Sequence, residues 1–425
     1  MHPILRSAPA RLGVLCLCLW PAPDARAADA WPLQRVLAVA ADAQPDSEAL
    51  RAQSRGAEYD AEVAAALPPP MWRAGIVNLP VTGSEAFDPN VDDMTMRMVG
   101  IEQAWPSRAL RESGAGMQRA RAGMFDAEAA MRARMRQERA GMAWLDAWLA
   151  LRRIDLHGRQ EALLAQAEAA ALAAAREGMD GSMDVLQWQS MRTMHELQHL
   201  RERQNLDAAL AELQARIGQR IEAAQLPAEL PDWPAPDARA LREGLARLPD
   251  LARLDAEARE ADAERGMRLA EARPQWTWMF SYGERMPGMP EMASLEVQVS
   301  FDGLFGRRQS NREAAAIARR DAAQWRRADR LRALEGDLER ALATLANAQA
   351  ALDMVETRLR PLRERQRDIA QARYAQGAGA LMPVFEARSA LLDVELERWM
   401  SLESLMRARL RLLRLDAGPN PEPTP

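Results

Sequence analysis

Two spacings of apolar residues alternate along the chain. The first is seven residues. Met135, Met142, Leu149, Leu156 and Leu163 follow this step, as do Leu331, Leu338, Leu345, Leu352 and Leu359, and then Phe385, Leu392, Trp399, Met406 and Leu413. A seam sustained at that interval predicts long helices packed as coiled coils. The spacing places them over 107–177 and 306–376, each about 105 Å at the rise of an α-helix. Only the glycine-centred segments at 178–184 and 377–383 can reverse the chain, so they read as hairpin tips. Pro361 lies inside the second long helix and should kink it.

The second spacing is two residues. Trp276, Trp278, Phe280 and Tyr282 share one face of a predicted strand, with Gln275, Thr277, Met279 and Ser281 on the other. After the turn-rich stretch 283–290, Leu295, Val297, Val299 and Phe301 alternate with Glu296, Gln298 and Ser300. Earlier in the chain Trp72, Ala74 and Ile76 alternate with Arg73 and Gly75, and Met94, Met96 and Met98 with Thr95 and Arg97. This is the pattern of a membrane barrel strand, apolar toward lipid and polar toward the lumen. It predicts lipid-facing Trp72, Met94, Met96, Met98, Trp276, Trp278, Phe280 and Tyr282. A shorter helix precedes each hairpin, over 45–67 and 249–272, stopped by Pro68-Pro69-Pro70 and by Pro274.

The same order thus occurs twice. Gly178 and Gly377 stand 199 positions apart, as do Arg108 and Arg307, whereas Pro45 and Pro249, and Trp72 and Trp276, stand 204 apart. The first hairpin loop is therefore five residues longer than the second. The predicted organisation is a leader over 1–27 and a first repeat over 28–225, with a β-hairpin at 71–103 and a coiled-coil hairpin at 107–223. A second repeat covers 226–415, with a β-hairpin at 274–302 and a coiled-coil hairpin at 306–415. A proline-rich tail, 416–425, is expected to be disordered.

Composition narrows the picture. Arg6, Arg11, the apolar run from Leu12 to Trp20 and Ala25-Arg26-Ala27 form an export signal cleaved before Ala28. Both cysteines, Cys16 and Cys18, fall inside it, so the mature chain is expected to have no thiol chemistry. All 56 basic residues are Arg, interleaved with 61 acids. That argues against a nucleic-acid partner, which would gather positive charge on one face. No segment after the leader approaches the ~18 apolar residues of a membrane helix, so any crossing must use strands. Four strands cannot close a barrel, and an open edge in lipid strands backbone groups, so several copies must complete it.

The repeated order of helix, strand hairpin and long helical hairpin resembles the TolC family of outer-membrane efflux factors over nearly the whole mature chain. Asn78-Leu79-Pro80, Met94-Thr95-Met96, Tyr282-Gly283-Glu284-Arg285 and Phe305-Gly306-Arg307-Arg308-Gln309 look like its heavy-metal and copper branch. Tyr374-Ala375-Gln376-Gly377 with Val384, and Gly178 with Asp184-Val185, look like its tip signature. The resemblance implies a mainly α fold with a small β part: long antiparallel coiled-coil hairpins and four strands per chain. It implies a homotrimer with a twelve-strand barrel in outer-membrane lipid and a helical periplasmic extension. It further implies a periplasmic adaptor and an inner-membrane pump of the RND type as partners, with heavy-metal ions as cargo. Gly178, Gly181, Gly377 and Gly379 would form the docking tips, and Asp184, Tyr374 and Glu386 the gate. Pro383 stands where the second tip would carry an acid. A passive conduit needs no cofactor and no catalytic residue.

Two other readings compete. His195-Glu196-Leu197-Gln198-His199 matches the zinc-protease motif, in which histidines four apart on a helix hold Zn²⁺ and the glutamate acts as base, with Glu202 placed as a third ligand. On a charged coiled coil the same string arises by chance. A periplasmic adaptor also carries a coiled-coil hairpin, but a single one between halves of small β domains. Finally, Met286, Met289 and Met292 cluster in one loop, and thioethers suit Cu(I).

Overall fold

The computed structural model describes residues 30–42, 45–177, 182–230, 233, 236–300 and 307–418. The leader, Gly178, Gly181 and the end of the tail lie outside that set.

The first half begins with α1 (Leu33–Ala41) and α2 (Pro45–Ala65), then the hairpin of β1 (Met71–Val77) and β2 (Met96–Trp105), then α3 (Arg108–Arg176) and α4 (Ser182–Ile217). The second half repeats the order with α5 (Ala238–Gly244), α6 (Pro249–Glu271), β3 (Gln275–Glu284), β4 (Met292–Ser300), α7 (Arg307–Met354), α8 (Arg360–Ala375) and α9 (Met382–Leu413). No described helix is long and apolar enough to cross a membrane. The described residues thus form two helical hairpins and one sheet, an arrangement unlike the single hairpin between β domains expected of an adaptor.

α3 is an unbroken helix of 69 residues. It starts where Ser107 caps it, the side-chain oxygen accepting from the Leu110 amide at 3.3 Å, and no proline interrupts it. Its counterpart in the second half is interrupted. Pro361 has no amide to donate back, and the turns before it widen into a five-residue π-helix, Val355–Leu359, between α7 and α8. The break in regular α-helix thus falls where Pro361 predicts an interruption. The bounds of the two segments, 108–176 and 307–375, keep the offset of 199 found in the sequence.

Apolar clusters among the described residues hold the helices. At mid-length Trp144 and Trp148 of α3 stack 6.5 Å apart, and Trp399 of α9 meets Trp148 edge-on at 5.4 Å. Val36 of α1 and Leu213 of α4 pack into the same cluster. Both buried indoles are satisfied: Trp144 donates to the Trp31 carbonyl at 2.8 Å and Trp148 to that of Pro227 at 2.9 Å. Leu248, Leu251, Leu334, Leu338 and Leu412 join α6, α7 and α9. Toward the tips Leu164, Trp188 and Phe385 join α3, α4 and α9. α6 and α7 add a ladder of ion pairs along their length: Arg319–Glu264, Arg326–Glu257, Arg327–Asp255 and Arg330–Asp250.

The four strands form one antiparallel sheet in the order β1-β2-β3-β4. The β2–β3 pairing joins the two halves, from Arg97 opposite Glu284 to Trp105 opposite Trp276. β1 and β4 pair on one side only and are open edges.

Candidate functional site, a two-faced sheet and a buried histidine junction

Cross-strand register sorts the strand residues onto two faces, because residues directly opposite point the same way. Trp72, Ile101, Phe280 and Leu295 form one row across all four strands, and Ala74, Val99, Tyr282 and Ala293 form the next. Trp276, Trp278 and Val297 extend this face. It is uncovered: Trp72 is 80% exposed, and Val99, Phe280 and Leu295 are each more than half exposed. An apolar sheet face of this extent, left open on the isolated chain, requires an apolar surrounding. The opposite face carries Arg73 ion-paired with Glu102, together with Thr277, Ser281, Glu296 and Gln298.

Trp72, Trp276, Trp278, Phe280 and Tyr282 share the aromatic face, as the alternation predicts. Met96 and Met98 do not. Met98 pairs with Gly75 and Gly283, on the polar face. The apolar positions that decide the orientation of β2 are Val99, Ile101 and Trp105, of the opposite parity, and they pair with Tyr282, Phe280 and Trp276. Met94 precedes the strand in a turn, where its amide donates to Asp92 at 2.8 Å.

The sheet is locked to the helices by short polar contacts. The Ser107 amide donates to the Gln275 side chain at 2.8 Å, and the Gln103 amide group to the Pro68 carbonyl at 2.8 Å. The start of α3 is therefore fixed to the end of β2 and the beginning of β3.

At the far end of the second hairpin, Gly377 has φ +70°. Its amide donates to the Tyr374 carbonyl at 3.0 Å and the Ala378 amide to that of Arg373 at 3.0 Å. This is the hydrogen-bond pattern of a Schellman helix end, and it reverses the chain. Gly379 packs against Arg373. Tyr374 is half exposed at the end of α8, and Glu386 is exposed in the first turns of α9. Gly178, Gly181 and the Asp184 side chain lie outside the described residues.

The zinc-protease string does not assemble its site. Glu196 lies on the surface and pairs with Arg192 at 3.3 Å. His195 turns instead to His157 of α3, Nδ1 to Nδ1 at 3.5 Å. His199 Nε2 is buried with no hydrogen-bond partner among the described residues. No three His, Cys, Asp or Glu side chains among the described residues gather to hold a metal ion. What forms is a polar chain across three helices. His157, 4% exposed, faces Gln160 Oε1 at 3.1 Å, and Gln160 Nε2 donates to Asp393 of α9 at 3.0 Å. One tautomer satisfies it: the His157 Nδ1 proton lies between Gln160 and His195, and His195 accepts. Burial lowers both histidines below their ordinary range, and burial raises the Asp393 carboxyl. Arg153 of α3, His199 and Glu202 of α4, and Arg363 of α8 also act on this junction.

No family model and no curated protein matches the chain. Solved structures do. The outer membrane protein VceC of Vibrio cholerae superposes with a TM-score of 0.74 at 14% identity, over 91% of this chain and 96% of its own. The Campylobacter jejuni CmeC outer membrane channel gives 0.72 at 11%, over 91% and 85%. The open-state MtrE outer membrane channel of Neisseria gonorrhoeae gives 0.69 at 16%, over 91% and 89%. The chain has the fold of these outer-membrane channels.

Sequence reading missed the junction. Its members are 38 positions apart for His157 and His195, and 233 apart for Gln160 and Asp393. The only signal was the phase of the seam: His157 directly follows Leu156, a seam position, so a histidine was placed beside the coiled-coil core.

Proposed function

We propose that the chain is one protomer of an outer-membrane efflux channel, a passive conduit that carries heavy-metal ions from a periplasmic adaptor and an inner-membrane pump to the outside. The observation that carries this reading is the sheet: four strands with two open edges, one face aromatic and uncovered, the other polar. The sheet fits a barrel wall in lipid and fits no soluble core, since no described element covers its aromatic face. Three copies complete a twelve-strand barrel, and the helical hairpins, about 100 Å long, reach through the periplasm. The protomer needs no catalytic group, because the partner pump supplies the energy. Gly178, Gly181, Gly377 and Gly379 mark the docking tips, and Asp184, Tyr374 and Glu386 the gate.

The test is purification from fractionated membranes. The protein should leave the outer membrane only with detergent, as a heat-sensitive trimer that conducts ions in planar bilayers. A monodisperse monomer, soluble without detergent, contradicts the reading.

A further inference from the structure

Every methionine in the four strands lies on the face opposite the tryptophans. Met71, Met96, Met98, Met279 and Met292 fall in register with Arg73, Glu102, Ser281 and Glu296, and the aromatic face has none. A methionine used as a generic apolar residue belongs on the face that meets hydrocarbon, where burial favours it. Core filling does not account for all of them either, since Met71 is 54% and Met292 49% exposed.

Three of them gather around a residue without a side chain. Gly283 pairs with Met98 on one side and Met292 on the other. A Cβ placed on Gly283 would lie 3.4 Å from Met96 Sδ and 3.4 Å from Met98 Cγ, so those two side chains lean over the glycine. A Cβ at this position would already touch both of them. The β3–β4 turn adds Met286 and Met289 at the same end of the sheet, tied by the Met289 amide to the Met286 carbonyl at 3.1 Å.

We propose that Met96, Met98 and Met292 around Gly283 form a thioether site for a soft monovalent cation of the Cu(I) or Ag(I) type. This rests on the channel reading, which makes the polar face the inner wall of the barrel. Thioethers are neutral and polarisable, so they discriminate against hard divalent ions and favour soft d¹⁰ ones. They carry no proton, so the site works without regard to pH. Each is a weak ligand, which suits a wall that must bind ions and release them.

The test is titration of the detergent-solubilised full chain with Ag(I), with X-ray absorption at the silver edge to identify ligands. The expected result is a sulfur-only shell and a loss of affinity of about tenfold or more in the Met96→Leu, Met98→Leu double variant, the scale on which metal sites respond to altered support. Met135→Leu with Met142→Leu, in the coiled coil, should bind as the parent does. Affinity should hold between about pH 7 and 5.5, whereas binding to His157 and His195 would fall over that range. Leucine keeps the volume of methionine, so folding is preserved, and bilayer conductance of each variant reports the channel separately. A double variant that conducts and binds Ag(I) as tightly as the parent overturns the site and leaves the channel standing. Nitrogen or oxygen ligands in the silver spectrum also overturn it.

Discussion

α3 and the α7–α8 pair occupy equivalent places in the two halves, start just after their β-hairpins and span the same length of chain, yet they are finished differently. α3 is enclosed by its own chain. α1, α2, α4, α6 and α9 all pack on it, and Trp144, Trp148, Leu149 and Leu156 are fully buried. α7 meets α6 through one leucine cluster, with Leu251, Leu254, Leu334 and Leu338, and elsewhere through arginine–acid pairs, and α8 buries no residue at all. Trp325, Met354, Leu362 and Ile369 stand exposed along this second segment, Trp325 at 71%. Across the molecule α4 leaves its own seam open, with Met183, Leu186, Met194, Leu197 and Leu200 exposed. The difference teaches where the chain ends as a folding unit. One segment is completed inside the protomer, and the other leaves apolar surface open, which on the channel reading proposed above a neighbouring copy covers. Two different open seams, rather than one self-complementary patch, suit head-to-tail contacts of the kind that can close into a ring. The open edges of β1 and β4 call for the same arrangement.

The comparison breaks most visibly if the second segment is charged. Leu362→Glu with Ile369→Glu should abolish the oligomer, read by sedimentation in detergent, and so should Leu197→Glu with Leu200→Glu on α4. An oligomer that survives both pairs would mean that these seams face water. The next effect in size lies on the enclosed side. Trp148→Ala should cost about 3–5 kcal/mol in unfolding experiments, because it removes a buried indole from the centre of the core. Leu362→Ala, on the open segment, should cost the dissociated protomer under about 1 kcal/mol, as an exposed position does.

Acid sharpens the comparison further, because the histidine junction clamps α4 and α9 onto α3. Burial lowers His157 and His195 below the ordinary 6.5, so the unfolded chain takes up these protons first. Their contribution is constant above that value and is lost as pH falls through it toward the lowered folded values. Asp393 acts in the opposite sense. Its carboxyl is raised above 3.8, so the folded chain binds that proton first, and the cost of burying the carboxylate relaxes as pH falls through the raised value. Thermal stability should therefore fall from about pH 6.5 downward, and His195→Gln should flatten that decline. An unchanged slope in the variant would remove the junction from the account. The smallest effects belong to the tips. Tyr374→Phe should raise single-channel conductance and Glu386→Gln should reduce cation selectivity, both by modest factors in planar bilayers. If neither variant changes either quantity, the gate assignment is lost.

Much of the architecture was legible in the sequence because two periodicities do not mix. A seven-residue step fixes a coiled-coil seam, and a two-residue step fixes a strand, so the helical hairpins, the paired β-hairpins and their duplication all surfaced. Alternation does not say which face is which. Met94, Met96 and Met98 look apolar by composition, and only the register of β2 against β3, set by Val99, Ile101 and Trp105, turned Met96 and Met98 to the polar side. The short α1 and α5, of nine and seven residues, escaped notice because so few turns carry too little periodicity to stand out. Pro361 signalled a kink, but not that the helix would absorb it as a π-helical turn. The histidine string was visible, and its partner was not: His157 belongs to another helix, and nothing local in the chain pairs the two.

The central claim is that the aromatic face of the sheet meets lipid and the opposite face meets water. The only cysteines, Cys16 and Cys18, lie in the predicted leader, which leaves a clean background for single substitutions. Phe280→Cys and Leu295→Cys should react in intact outer membranes with a lipid-soluble maleimide and resist a charged one. Met279→Cys and Ser294→Cys, one residue away along the same strands and on the opposite face, should react with the charged reagent. That alternation along β3 and β4 is the result the account predicts. Equal labelling of both faces by the charged reagent would contradict it.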